Sequence, residues 1–220
     1  MTGEEDLRVA YGRRAAEYSS LLGTVTQMDT RDRERITAWA GELSTGPVLD
    51  AGCGPGHWTA HLHSLGADIS GLDLVPEFIG HARARFPGVP FRVGSMTALE
   101  VPDGSLAGIL AWYSLIHTPL PVLPVLLQEL HRALRPGGRL LIGFFGGPDA
   151  AVFAHEVSAA HSWSTAAMRQ RLEGVGFTVL DAEDREDPGR RAHVSIIAQR
   201  GPGLTADHLA LTDQDRPVRH

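Results

Sequence analysis

The chain has no lysine and no asparagine among its 220 residues, so every one of its 20 basic side chains is arginine. Without lysine there is no amine for a Schiff base with pyridoxal phosphate, and no Walker-type lysine to reach a nucleotide's terminal phosphates. The single cysteine, Cys53, cannot close an intramolecular disulfide. Neither a charged-then-apolar leader nor a long apolar span is present, so the expectation is a cytoplasmic protein with no membrane partner. A basic surplus is also missing: the formal net charge is −6, which argues against nucleic acid as a partner, since that requires a basic face. Metal chemistry is poorly served too. His57, His61 and His63 lie close in sequence, but only the first two share a helix face and no cysteine or acid completes a set, so no metal is expected.

What the chain does have is apolar bulk and well-placed glycine. With 43% hydrophobic residues it can bury a sizeable core without a disulfide or metal staple. The segment Val48-Leu49-Asp50-Ala51-Gly52-Cys53-Gly54-Pro55-Gly56-His57 is an apolar strand that ends in an acid and runs into three alternating glycines. Glycine tolerates positive φ and has no Cβ, so the backbone can turn sharply and present N–H groups to a ligand. The spacing is G-x-G-x-G, whereas the dinucleotide fingerprint has its third glycine one place later, where this chain carries His57. The turn therefore suits an adenosine-type cofactor that lacks a pyrophosphate.

Around this turn the pattern alternates strand and helix, the signature of a doubly wound α/β domain. Helices are predicted over residues 4–20 and 29–43, with Tyr11 and Tyr18, seven positions apart, on one face of the first. Strands follow over 47–51, 68–73, 90–93, 106–112 and 139–145, with helices over 56–65, 76–86 and 119–134. A short helix over 164–174 and a closing hairpin, 177–183 with 192–199, complete the pattern. Residues 1–200 read as one domain, with 1–45 forming a helical lid. The tail from 201 to 220 lacks apolar periodicity and reads as disordered.

Five blocks in order carry a resemblance: the glycine segment, then Gly71-Leu72-Asp73-Leu74, Phe91-Arg92-Val93-Gly94-Ser95-Met96, Ala111-Trp112-Tyr113-Ser114-Leu115-Ile116-His117, and Glu129 through Ile142 with its Arg135-Pro136-Gly137-Gly138 centre. Over roughly residues 5–200 the chain resembles the class I S-adenosylmethionine-dependent methyltransferases, specifically small bacterial members with a minimal Rossmann-like core. The resemblance implies a mostly parallel seven-stranded sheet of order 3-2-1-4-5-7-6, strand seven antiparallel, with helices on both faces. It also implies S-adenosylmethionine as cofactor, S-adenosylhomocysteine as product, and a small-molecule methyl acceptor, in a monomer or homodimer.

The same resemblance assigns roles. Asp50 organises the loop and the methionine ammonium, while the backbone of Gly52, Cys53 and Gly54 faces the methionyl and ribose portions. Asp73 stands at the end of the second strand, where a carboxylate can accept both ribose hydroxyls, much as an acid about 20 residues on does for nicotinamide cofactors. Leu74 packs on the adenine. Ser95 stands where an acid often meets the adenine amino group, and Met96 either lines that slot or simply packs. The backbone near Ala111 and Trp112 borders the sulfonium, and Tyr18 reaches the methionyl carboxylate. Acceptor-site candidates are Tyr11, Tyr113, His117, His155 and Trp163, the last two from a long connection, residues 146–163, of the sort that tends to be functional. His117 could serve as a general base or only shape the pocket.

Two rival classes remain open. A nicotinamide oxidoreductase shares the fold but calls for a pyrophosphate loop and, usually, a hydride-site pair such as tyrosine and lysine. A catalytically silent S-adenosylmethionine-binding regulatory protein keeps the glycine turn and loses turnover.

Overall fold

Every residue of the strand β1 (Val48–Ala51) is buried, and so is every residue of β4 (Leu106–Trp112). Such runs belong in the middle of a parallel sheet covered on both faces, and that is where they lie. A computed structural model describes residues 2–155 and 157–201. Beyond Gly201, the expected loose tail falls outside the described residues.

The main sheet also contains β2 (Ile69–Asp73), β3 (Phe91–Val93), β5 (Leu134–Phe145), β8 (Phe177–Arg185) and β9 (His193–Arg200), in the order β3-β2-β1-β4-β5-β9-β8. Its ladders are parallel from β3 through β5, and β9 runs antiparallel between β5 and β8. This is the doubly wound order expected from the sequence. The labels shift only because β6 (Ala151–Phe153) and β7 (Ala160–Ser162) form a separate two-stranded ribbon inside the connection that follows β5.

The helices are α1 (Thr2–Leu22), α2 (Thr30–Gly41), α3 (His57–Ser64), α4 (Pro76–Arg85), α5 (Leu123–Ala133) and α6 (Thr165–Gly174). Local chemistry sets their starts: the Asp29 carboxylate accepts from Arg31 N at 2.9 Å, and the Ser164 hydroxyl accepts from Ala167 N at 3.1 Å. Pro119 precedes α5 rather than opening it, with its carbonyl accepting from Leu123 N. Strand β5 begins earlier than expected, because Leu134 pairs with Leu106 before Pro136-Gly137-Gly138 bulges out and the ladder resumes at Gly108 opposite Arg139.

Alternation along β4 distributes the core. Ile109 and Ala111 face Leu126 and Leu130 of α5, while Leu110 and Trp112 face Ile36, Trp39, Trp58 and Leu62 of α2 and α3. Each fully buried leucine or isoleucine here contributes about 1.5–3 kcal/mol relative to exposure. Two packed faces hold the strand ends rigidly in line, and the carboxyl ends of β1, β2 and β4 then open onto one cavity.

Candidate functional site

At the end of β1 the chain turns on Gly52, whose φ is +79°. A Cβ there would lie 2.3 Å from the Cβ of Ser114, so only glycine lets β1 and the residues after β4 approach so closely. Gly52 N and Cys53 N both donate to Leu72 O, at 2.7 and 3.0 Å, which ties the turn to β2. Gly56 (φ +83°) then caps α3, and a side chain in its place would strike the Phe91 ring.

Asp73 ends β2 and is only 8% exposed. Its Oδ2 accepts from Gly54 N at 2.8 Å and its Oδ1 from Val75 N at 2.9 Å. Burial raises its pKa to about 6, against the opposing pull of those backbone N–H groups. Asp50, 1% exposed, accepts from the Thr59 hydroxyl at 2.7 Å. Burial lifts it further, to about 7, and the nearby Asp73 charge adds to the rise. Two buried carboxylates thus stand on one glycine turn. Ser114 Oγ, also buried, has no hydrogen-bond partner among the described residues.

These groups face a cavity of about 430 Å³. Helix α1 forms one wall of it: Glu4, Leu7, Tyr11 and Tyr18 line the space from one helical face. Tyr11 and Tyr18 meet edge to face at 5.4 Å, and both rings pack on Phe78 of α4. Leu74, Ser95 and Met96 line the cavity beside Glu4, and Cys53, Gly54, Trp112, Tyr113, His117 and His155 line it as well. The Cys53 thiol is pushed well above its usual pKa, chiefly by burial, and so is no thiolate.

His117 is held at both ring nitrogens. Nδ1 lies 2.8 Å from Ala159 O and Nε2 lies 2.6 Å from the Tyr11 hydroxyl. A carbonyl only accepts, so Nδ1 carries the hydrogen, and in the neutral ring Nε2 accepts from Tyr11. Burial lowers the His117 pKa, which favours that neutral form. Tyr113 adopts the left-handed region at φ +55°. Its hydroxyl lies 2.6 Å from Nδ1 of His193, a 3% exposed residue of β9 whose pKa burial brings down to about 4.

Two sequence-predicted residues do not reach the cavity wall. Trp163, expected in the acceptor wall, is fully buried and packs edge to face on Phe144 at 6.0 Å. The ribbon causes this: Trp163 N donates to Phe145 O and His161 N to Ile116 O, drawing the segment onto the sheet end with the indole turned inward. Ala111 is fully buried in the core, so any contact to the cavity runs through backbone.

Other residues on the wall escape a reading of the sequence. Glu4, Asp32, Phe78 and Phe145 line it. His57 does too; its ring nitrogens are buried without hydrogen-bond partners among the described residues, and burial brings its pKa down to about 4. Its one signal in the sequence is its place where a dinucleotide loop carries glycine. Among the described residues no group of three or more His, Cys, Asp or Glu is arranged to hold a metal ion, and no helix is long and apolar enough to cross a membrane.

Comparison with known proteins agrees with this geometry. Residues 48–138 match the family described as "Methyltransferase domain". A malonyl-(acyl-carrier protein) O-methyltransferase of Erwinia billingiae is 32% identical over 151 residues, covering 69% of this chain and 56% of that protein. A probable S-adenosylmethionine-dependent methyltransferase of Mycolicibacterium smegmatis is 31% identical over 143 residues, 61% of this chain and 52% of the other. The chain spans about half the length of the curated relatives it matches. Among solved structures, the Burkholderia thailandensis 1,6-didemethyltoxoflavin N1-methyltransferase, with S-adenosylhomocysteine bound, superposes with a TM-score of 0.72 at 20% identity over 91% of this chain and 92% of its own. A 4+2 cyclase also superposes at 0.72, with 18% identity over 92% of this chain and 98% of its own. At such identities the structural likeness establishes the fold.

Proposed function

We propose that the chain, whose residues 48–138 match the methyltransferase domain, is a class I S-adenosylmethionine-dependent methyltransferase that passes a methyl group from S-adenosylmethionine to a small-molecule acceptor by in-line displacement. The observation that carries this reading is the pair of buried carboxylates, Asp50 and Asp73, on a glycine turn that opens into the cavity. Buried carboxylates raised toward neutrality are matched by a ligand that brings a cation to one and hydroxyl donors to the other.

The residues present fit such a cofactor. Each Asp73 oxygen takes one backbone N–H and has lone-pair capacity left for a vicinal diol. Asp50 and the unpartnered Ser114 hydroxyl flank the Gly52 turn and would hold the methionyl ammonium, with Tyr18 at the methionyl carboxylate. The Cys53 and Gly54 backbone would follow the ribose and methionyl portions. Leu74 and Met96 would sandwich the base beside Ser95, and the backbone at Ala111 and Trp112 would border the reacting centre. When bound, S-adenosylmethionine supplies a methyl group already activated on a sulfonium, so the protein's task is alignment and exclusion of water rather than nucleophilic attack.

On the acceptor side the chain contributes Tyr11, Tyr113, His117 and His155, in a chamber also walled by Trp112 and Phe145. With Nε2 engaged by Tyr11 and Nδ1 by Ala159, His117 acts as a positioning residue that ties the lid helix to the chamber. His117→Gln is therefore expected to raise the acceptor KM severalfold, to lower kcat by less than about tenfold, and to weaken cofactor affinity by no more than about threefold through a looser hold on α1. Loss of a positioned general base costs about a hundredfold or more, so a collapsed kcat at unchanged KM would contradict this assignment.

The proposed activity is tested by incubating the full chain with methyl-labelled S-adenosylmethionine and a panel of small molecules bearing hydroxyl, amine, thiol or carboxylate groups. Label transfer to a panel member with matching release of S-adenosylhomocysteine supports it. Cofactor binding without transfer to any member would favour a protein that binds the cofactor without passing on its methyl group.

A further inference from the structure

Ser95 is already satisfied before any ligand arrives. Its hydroxyl lies 2.7 Å from Glu4 Oε1, to which it donates, and its oxygen accepts from Thr97 N at 3.1 Å and engages the Thr97 hydroxyl at 2.7 Å. With its one hydrogen donated and its lone pairs turned to Thr97, a serine has nothing further to offer a base. Glu4 has capacity to spare. Its Oε1 is met by Ser95 and, at 3.3 Å, by the Thr97 hydroxyl. With the single Thr97 hydrogen directed at Ser95 in the shorter contact, it is the Ser95 hydrogen bond that orients Glu4, a carboxylate that can accept about four hydrogen bonds in all.

Glu4 lines the cavity together with Leu74, Ser95, Met96 and Thr97. We propose that Glu4, carried on the lid helix α1, is a specificity-determining residue that accepts a hydrogen bond from the 6-amino group of the cofactor's purine. The inference rests on the cofactor reading above and places a residue 91 positions before Ser95 at the base end of the same cavity. A carboxylate accepts and never donates, so it selects an exocyclic amine over a bare ring edge or a carbonyl. Leu74 and Met96 hold the ring flat but cannot make that distinction. Because Glu4 belongs to α1, the contact requires that helix to be packed on α4 as it is here, through Tyr11 and Tyr18 against Phe78.

The test is a cycle in which the ligand and the protein are each edited once. S-adenosylhomocysteine and its 6-desamino counterpart, with purine in place of adenine, are titrated calorimetrically into the wild-type chain and into Glu4→Ala. The wild type is expected to prefer the amino-bearing ligand by about tenfold or more, as suits a charge-assisted hydrogen bond, and Glu4→Ala to reduce that preference below about threefold. If Glu4→Ala weakens both ligands equally, Glu4 is only a latch for the helix and the inference is overturned. A wild type with no preference between the two ligands overturns it as well. If the wild type binds neither ligand, the cofactor reading itself fails and this inference goes with it.

Discussion

Asp73→Ala is expected to weaken binding of S-adenosylhomocysteine by roughly a hundredfold or more. The carboxylate is placed to accept from two ribose hydroxyls, and hydrogen bonds to a charged group contribute about 1.5–3 kcal/mol each. The substitution also leaves Gly54 N and Val75 N without their acceptor, so the turn loosens as the ligand contact is lost. Thermal unfolding of the ligand-free variant, measured alongside calorimetric titration, separates a folded protein that cannot bind from one that does not fold. A folded Asp73→Ala chain with unchanged affinity would remove Asp73 from the site.

A comparably large effect is expected from pH. In the free protein, burial raises the Asp50 pKa to about 7 and that of Asp73 to about 6. An ammonium seated beside Asp50 favours its ionised form, so the Asp50 pKa falls on binding and the complex forms with loss of a proton. Affinity for S-adenosylhomocysteine should therefore rise with pH up to about 7 and level off above it. Below that point it should fall by up to tenfold per unit, and more steeply once Asp73 takes up a proton.

Stability of the free protein should run the other way. A carboxylate whose folded pKa lies above its unfolded value contributes stability at low pH, and that contribution is lost as pH rises through the folded value. His57 and His193, each near 4, titrate below this window. Asp50→Asn should bind more weakly at pH 8 and show a much shallower pH dependence. Titrations at half-unit steps from pH 5.5 to 8 decide the matter, and an affinity that is flat or falls with rising pH would contradict the assignment of Asp50.

Features that depend on neighbours along the chain are legible in the sequence. An apolar run ending in an acid and a glycine turn is a local pattern, and it locates β1, Asp50 and the turn. The same logic locates β2 and Asp73, and the alternation of strands and helices marks the doubly wound class, whereas the strand order follows from the family resemblance. What stays hidden depends on register between distant segments. Tyr113 meets His193 across 80 positions only because Phe145 pairs with His193 on the neighbouring strands. Tyr11 reaches His117 across 106 positions because α1 folds over the sheet end.

The expectation of Trp163 in the acceptor wall rests on the tendency of long connections to carry function. Nothing local announces that β6 and β7 pair and turn the indole into the core. Ser95 shows the converse limit. Its departure from the acid common at that place is visible, but the carboxylate that meets it comes from the far end of the chain.

The most direct measurement is a calorimetric comparison of S-adenosylhomocysteine with NAD on the unmodified chain. A G-x-G-x-G turn with His57 in place of the third fingerprint glycine, and a buried acid awaiting a ribose diol, predict one-to-one binding of S-adenosylhomocysteine and no comparable heat from NAD. Binding of NAD with equal or greater affinity, or no binding of S-adenosylhomocysteine at any pH between 6 and 8, would contradict the account.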